Sequence, residues 1–229
     1  MTNKKFKGII FDFNGTLFWD SPKHKKAWQL FLKETYGMDI SDEFYFEKLH
    51  GSTNPLIYES IFGKKIPIEI QKSFGKEKEE YYRRLCIEEK EKNGEIKLGI
   101  GAEDLLDFLQ KYNIPHAIAT SSEISNVNFY KELFNLDKWF KNRIIYDDGS
   151  VRGKPFPDLY LKAGKILNLP MEDIIIVEDA CAGVKAAKNA GAGLVVGIAP
   201  YGEEMFVGKE YTDILIKDFT VFDRNLFEC

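Results

Sequence analysis

Apolar residues fall along this chain in two patterns. Six short runs stand out: "FKGIIFDF" (6–13), "HAIATS" (116–121), "RIIYDD" (143–148), "DIIIVED" (173–179), "GLVVGIA" (193–199) and "DILIKDF" (213–219). Runs of this length, bounded by polar residues, predict buried strands. Between them the apolar positions recur every three or four residues. "AEDLLDFLQKYN" places Leu105, Leu106, Leu109 and Tyr112 on one helical face, and "PDLYLKAGKILNL" does the same with Leu159, Ala163, Ile166 and Leu167 after opening on Pro157. "AGVKAAKNAG" ends at Gly191, a residue suited to a helix C-terminus. Strands alternating with helices predict an α/β fold built on a doubly wound, Rossmann-like parallel sheet.

The alternation starts with the first strand, pauses, and resumes near residue 100. Residues 20–95 hold almost no strand-like run. "DSPKHKKAWQLFLKETYG" predicts a helix with Ser21-Pro22 as cap and first turn, Gly37 as terminator, and Trp28, Phe31 and Leu32 as its apolar stripe. The stretch from Gln71 to Lys92 is dense in Lys and Glu, and these charges, Lys78 among them, read as a solvated helix face with supporting i,i+4 pairs. An all-helical insertion after the first strand reads as a cap, with "EKNGEIKLGIGAED" returning to the sheet. The expected organisation is therefore a core of residues 1–18 and 96–229 and a helical cap of 19–95.

Composition narrows the picture. The 229 residues are 44% hydrophobic and 14% aromatic, enough to bury a sizeable core. No apolar run approaches the ~20 residues of a membrane span, and the basic start "MTNKKFKGIIFDF" leads into a strand rather than a secretory signal. Cys86, Cys181 and Cys229 are odd in number and widely spaced, which favours a reducing compartment. The net charge of -4, with Lys and Glu interleaved, argues against a nucleic-acid partner. A cytoplasmic monomer with a small-molecule substrate is the expectation.

In sheets of this kind ligands bind outside the carboxyl ends of the strands, at the switch point. The first predicted strand ends in Asp12, the second in Thr120 and Ser121, and the fourth in Glu178 and Asp179, while Lys154 lies in "GKPFPD". Together these offer a carboxylate nucleophile, oxygen ligands for Mg²⁺, and a hydroxyl and an ammonium for phosphate oxygens. Phosphoryl transfer is mainly positioning plus charge stabilisation, which such a set can supply. Each residue also has a plainer reading: Asp12 as a turn residue, Thr120 and Ser121 as helix caps, Lys154 as a surface lysine, and Asp179 as the N-cap of the following helix.

The four segments "DFNGTL", "ATSS", "GKPFPD" and "VEDACAG" occur in the order of the motifs of the haloacid dehalogenase-like hydrolase superfamily, which the chain resembles along its whole length. The helical insertion, with "DSPKHKKAW" and "KLHGSTNPL", is similar to the type 1 cap of the β-phosphoglucomutase-like subfamily. The resemblance implies an aspartyl-phosphate on Asp12, phosphoryl oxygens held by Thr120 and Lys154, and Mg²⁺ held by Asp12, Asp179, Glu178 and the main-chain carbonyl of Asn14. It implies further substrate contacts at Thr16, Ser121, His24, Gly51 and Asn54. Asn54 stands where such relatives carry an arginine for the distal phosphate of a sugar bisphosphate. The substrate expected is a small phosphorylated metabolite, a sugar phosphate among the candidates. His50, His116 and Cys181 attract no functional argument.

The superfamily's phosphatases and mutases carry a second Asp, acting as acid and then base, where this chain has Asn14. An amide has no proton to give near neutrality. Three readings stand: a slow or specialised phosphatase or phosphotransferase, a protein that binds a phosphorylated ligand without turnover, and a metal-independent dehalogenase, whose halide leaves unprotonated. The phosphatase-like third and fourth motifs favour the first.

Overall fold

The computed structural model describes residues 4–49 and 54–228, apart from the side chains of Phe46, Asn54 and Pro55. Gly51 and His50 lie outside the described residues. The chain packs into two units: Met1–Trp19 together with Lys97–Cys229, and Asp20–Ile96. In chain order the elements are β1 (Gly8–Phe11), then in the second unit α1 (Ser21–Tyr36), a short α2 (Asp42–Phe44) running into a π-helical turn, α3 (Asn54–Phe62) and α4 (Ile68–Asn93). The first unit resumes with α5 (Ala102–Lys111), β2 (His116–Ala119), α6 (Ile124–Phe134), β3 (Ile144–Ile145), α7 (Asp158–Leu167), β4 (Ile174–Glu178), α8 (Cys181–Asn189), β5 (Leu194–Ile198) and β6 (Ile214–Ile216).

All six expected strands form one parallel sheet in the order β3-β2-β1-β4-β5-β6. Ile10 of β1 faces Ala117 on one side and Ile176 on the other. The central strands are apolar at nearly every position because helices cover both faces, and β1, β2, β4 and β5 are buried throughout. The outermost strands, β3 and β6, are shorter than their apolar runs, as edge strands commonly are. The chain leaves β1 toward β2 and β3, then crosses to β4 on the other side of β1. This reversal brings the carboxyl ends of β1 and β4 together at the switch point. Ile10, Ile176, Leu159, Ala163, Val184 and Val195 form the packed interior on one face.

The helical stripes need two corrections. Tyr112 is 47% exposed, because α5 ends at Lys111 and the residue falls outside the last helical turn. Ile166 is exposed too: the buried stripe of α7 is centred on Ala163 and Leu167, with Tyr160 completing it. Gly191 does follow the end of α8, at φ +78°.

In the second unit Trp28, Phe31 and Leu32 of α1 pack with Tyr45, Ile57 and Tyr58, as the apolar stripe of α1 predicts. Gly37 closes α1 in the left-handed conformation. Ser21 does not cap the helix. Asp20 holds the N-cap position, and its carboxylate turns instead to the Tyr82 hydroxyl and to His24 Nε2 at 3.3 Å. Among the described residues no helix is long and apolar enough to cross a membrane.

Candidate active site

Asp12 follows β1 directly, its N–H bonded to the Val177 carbonyl of β4 at 3.0 Å, so backbone pairing sets where its carboxylate emerges. The chain then reverses: Phe18 N–H donates to Phe13 O at 2.9 Å and Gly15 N–H to Phe18 O at 2.7 Å. Gly15 takes φ +80°, and a Cβ there would lie 2.0 Å from Asp179 Oδ2. Both demands leave glycine as the residue that fits. Thr16, expected to contact substrate, is fully buried and donates its hydroxyl to Asp179 Oδ1 at 3.1 Å, which makes it a support for that carboxylate.

Lys154 reaches into the same place. Its Nζ donates to Asp12 Oδ1 at 2.5 Å, Glu178 Oε1 at 2.6 Å and the Ala119 carbonyl at 3.1 Å. Burial alone would lower its pKa, but the carboxylates of Asp12 and Glu178 outweigh burial and hold it raised, so the ammonium is kept. The plain surface-lysine reading is thereby set aside.

Glu178, the last residue of β4, is held by four donors. Oε1 accepts from Lys154 and from the Tyr160 hydroxyl at 2.6 Å, and Oε2 from the backbone N–H groups of Asp179 at 3.1 Å and Ala180 at 3.3 Å. The first turn of α8 comes so close that a Cβ on Gly183 would sit 1.9 Å from this carboxyl group. Asp179 caps no helix, since Ala180 occupies the N-cap of α8. Burial first, then the negative charges of Glu178 and Asp12, push its pKa well above the usual carboxylate range.

Asp12, Glu178 and Asp179 can each turn a carboxylate oxygen to within 4.8 Å of the others. These are all hard oxygen donors, and one lysine against three carboxylates leaves negative charge uncompensated. The donor set therefore fits a Mg²⁺-like cation.

The segment after β2 completes the site. Thr120 is buried and accepts from Ser122 N–H at 3.1 Å, so it closes a local turn and does not cap α6, whose N-cap is Glu123. Ser121 is exposed. Its neighbour Ser122 instead donates to Asn14 Oδ1 at 2.7 Å, and Asn14 Nδ2 donates to Tyr130 Oη at 2.8 Å. Beyond the second serine of "ATSS", the sequence carries no mark of the roles that Ser122, Tyr130 and Tyr160 take here.

The second unit holds its own polar cluster. His24 stacks on Tyr82 at 4.1 Å with its Nδ1 3.1 Å from Lys78 Nζ. Lys78 is 5% exposed, which overturns its solvated reading: its ammonium pairs with Glu79 and lies over the rings of Trp28 at 5.5 Å and Tyr82 at 5.8 Å. Asn54 begins α3.

Residues 6–191 match the family model for haloacid dehalogenase-like hydrolases. The chain is 28% identical over 197 residues to a phosphorylated carbohydrates phosphatase of Thermotoga maritima, covering 84% of this chain and 85% of that protein. It superposes on a hydrolase of the same family from Entamoeba histolytica with a TM-score of 0.86 at 36% identity, covering 96% of each chain. It also shares the fold of a β-phosphoglucomutase from Clostridium difficile, with a TM-score of 0.70 at 22% identity over 96% of this chain and 94% of that one. The chain belongs to the haloacid dehalogenase-like hydrolase family, and it folds as the β-phosphoglucomutase-like members do.

Proposed function

We propose that this protein is a Mg²⁺-dependent phosphatase acting on a small phosphorylated metabolite, with Asp12 as nucleophile. The observation that carries the reading is the convergence of Asp12, Glu178, Asp179 and Lys154 at the carboxyl ends of β1 and β4. A similar protein acts on phosphorylated carbohydrates, which makes a sugar phosphate the first substrate class to test. The helical unit Asp20–Ile96 is proposed to serve as the cap that selects the substrate.

A carboxylate oxygen of Asp12 attacks phosphorus, the bond from phosphorus to the alcohol oxygen breaks, and the alcohol departs with a proton drawn from water. Water then attacks the phosphorus of the aspartyl-phosphate, and the bond to Asp12 breaks to release inorganic phosphate. Lys154 supplies positive charge to the phosphoryl group, Thr120 offers its hydroxyl, and Glu178 keeps Lys154 in place. Asp12, Asp179 and the Asn14 carbonyl, with Glu178 beside them, would hold Mg²⁺, which would supply positive charge against the phosphate. Asn14 contributes no proton, so the protein turns over slowly or favours esters whose leaving group needs none. The same amide favours a second reading, in which a phosphorylated ligand is held without turnover.

A phosphate-release screen of sugar phosphates and p-nitrophenyl phosphate tests both. Release should require Mg²⁺ and vanish in Asp12→Ala and Asp179→Ala. Activity persisting after chelation of divalent metal defeats the metal assignment, and ligand binding with no release supports the second reading.

A further inference from the structure

The turn after β1 is fixed to α6 at several points. Phe13 stacks on Tyr130 at 4.6 Å, and Phe18 packs edge-on against Phe134 at 4.8 Å. Beside these rings the Asn14 side chain is gripped at both ends, its oxygen accepting from Ser122 at 2.7 Å and its nitrogen donating to Tyr130 at 2.8 Å. Neither grip is loose. Tyr130 is 1% exposed, so its ring is fixed by packing, and Ser122 is tied through its N–H to Thr120 Oγ1 at 3.1 Å. An amide offers an acceptor oxygen at one end and a donor nitrogen at the other, and a hydroxyl, which can donate or accept, meets each.

The clamp adjoins the peptide between Asn14 and Gly15. Gly15, at φ +80°, offers that peptide little steric restraint of its own. Its N–H donates to Phe18 O at 2.7 Å, and the grip on the Asn14 side chain adds a second restraint from the other side of the peptide.

We propose that Ser122 and Tyr130 are positioning residues of the cation site: by clamping the Asn14 amide they fix the direction of the Asn14 main-chain carbonyl. On this view the side chain at position 14 orients the backbone and transfers no proton. The inference rests on the Mg²⁺ site proposed above.

Calorimetric titration of substrate-free protein with Mg²⁺ tests it. The comparison takes the wild type, Tyr130→Phe (which keeps the ring on Phe13), Ser122→Ala, Asn14→Ala, and Asn14→Ala combined with Tyr130→Phe. Melting midpoints in chelator record any purely structural cost. Each single hydroxyl deletion should weaken Mg²⁺ binding roughly three- to tenfold, the weight of one neutral hydrogen bond. Asn14→Ala should weaken it at least as much, and the double variant no further than Asn14→Ala, because the two residues act as one unit. Hydroxyl deletions that bind Mg²⁺ like the wild type overturn the positioning role while leaving the metal site standing, and so does full additivity in the double variant. A wild type that binds no Mg²⁺ overturns the metal site and this role together.

Discussion

On the proposed reading, Asn14 decides what Asp12 can accomplish as a nucleophile. Replacing it by Asp restores a titratable group, and general acid catalysis contributes roughly 10²- to 10⁴-fold in rate. Here Ser122 and Tyr130 could both donate to the new carboxylate, which favours its charged form and leaves less of it protonated to act as the general acid. Asn14→Asp should therefore accelerate sugar-phosphate hydrolysis toward the lower end of that range, by about 10²-fold, and p-nitrophenyl phosphate hydrolysis less, because nitrophenolate leaves without a proton. Initial rates on both substrates across pH decide it; equal rates for wild type and variant on the alkyl ester move the search for an acid to His24. Lys78 makes a second residue-level case. A solvated lysine changed to Ala shifts stability within about 0.5 kcal/mol, whereas loss of this buried ammonium and its stem should cost about 1–3 kcal/mol. Urea unfolding of Lys78→Ala, read through Trp28 in the same unit, distinguishes the two.

At the scale of elements, the carboxylate cluster depends on how closely β4, α8 and the turn after β1 approach one another. Gly183→Ala inserts a methyl group 1.9 Å from the Glu178 carboxyl, so α8 has to shift or Glu178 has to lose its place. Overpacking of this kind costs typically 1–3 kcal/mol, and the melting midpoint should fall by several degrees together with Mg²⁺ affinity. A variant that melts and binds Mg²⁺ like the wild type would show that the approach is relaxed. The strands themselves were legible because β1, β2, β4 and β5 lie between helices and their apolar runs reflect that burial directly. Asp12, Lys154, Glu178 and Asp179 were legible because each sits at or near a strand end in a recognisable motif. Tyr130 and Tyr160 were not: they face Asn14 and Glu178 across 116 and 18 residues of sequence, and on their helices they read as ordinary apolar positions. Lys78 was misread for a related reason, since the rings and the histidine that accept it come from other turns and another helix.

Across the whole molecule, two buried groups bear on how stability responds to pH and to metal. His116 lies buried between the carbonyls of Ile114 at 2.7 Å and Trp139 at 2.9 Å, and burial, with Arg143 nearby, lowers its pKa. The unfolded chain then takes up the proton first, so stability is lost as pH falls below the ordinary value of 6.5 toward the folded one. Thermal melts should show a lower midpoint at acid pH, and His116→Asn should flatten that limb. Asp179 works in the opposite sense. Its raised pKa means that stability falls as pH rises above the ordinary value of 3.8 through the folded one, unless a cation takes over the charge. Mg²⁺ at about 100 times its Kd should therefore raise the melting midpoint near neutral pH by roughly 5–10 °C, and Asp179→Asn should abolish most of the rise. The central claim is that Asp12 carries the phosphoryl group, and the most direct measurement is acid quenching of a single turnover with Mg²⁺, followed by peptide mass spectrometry. Because Asn14 also leaves the attacking water without a base, the phosphoenzyme should build up, and one phosphoryl group should appear on the peptide that contains Asp12. Phosphate release at an undiminished rate from Asp12→Asn, with no phosphoryl group on that peptide in the wild type, would contradict the account.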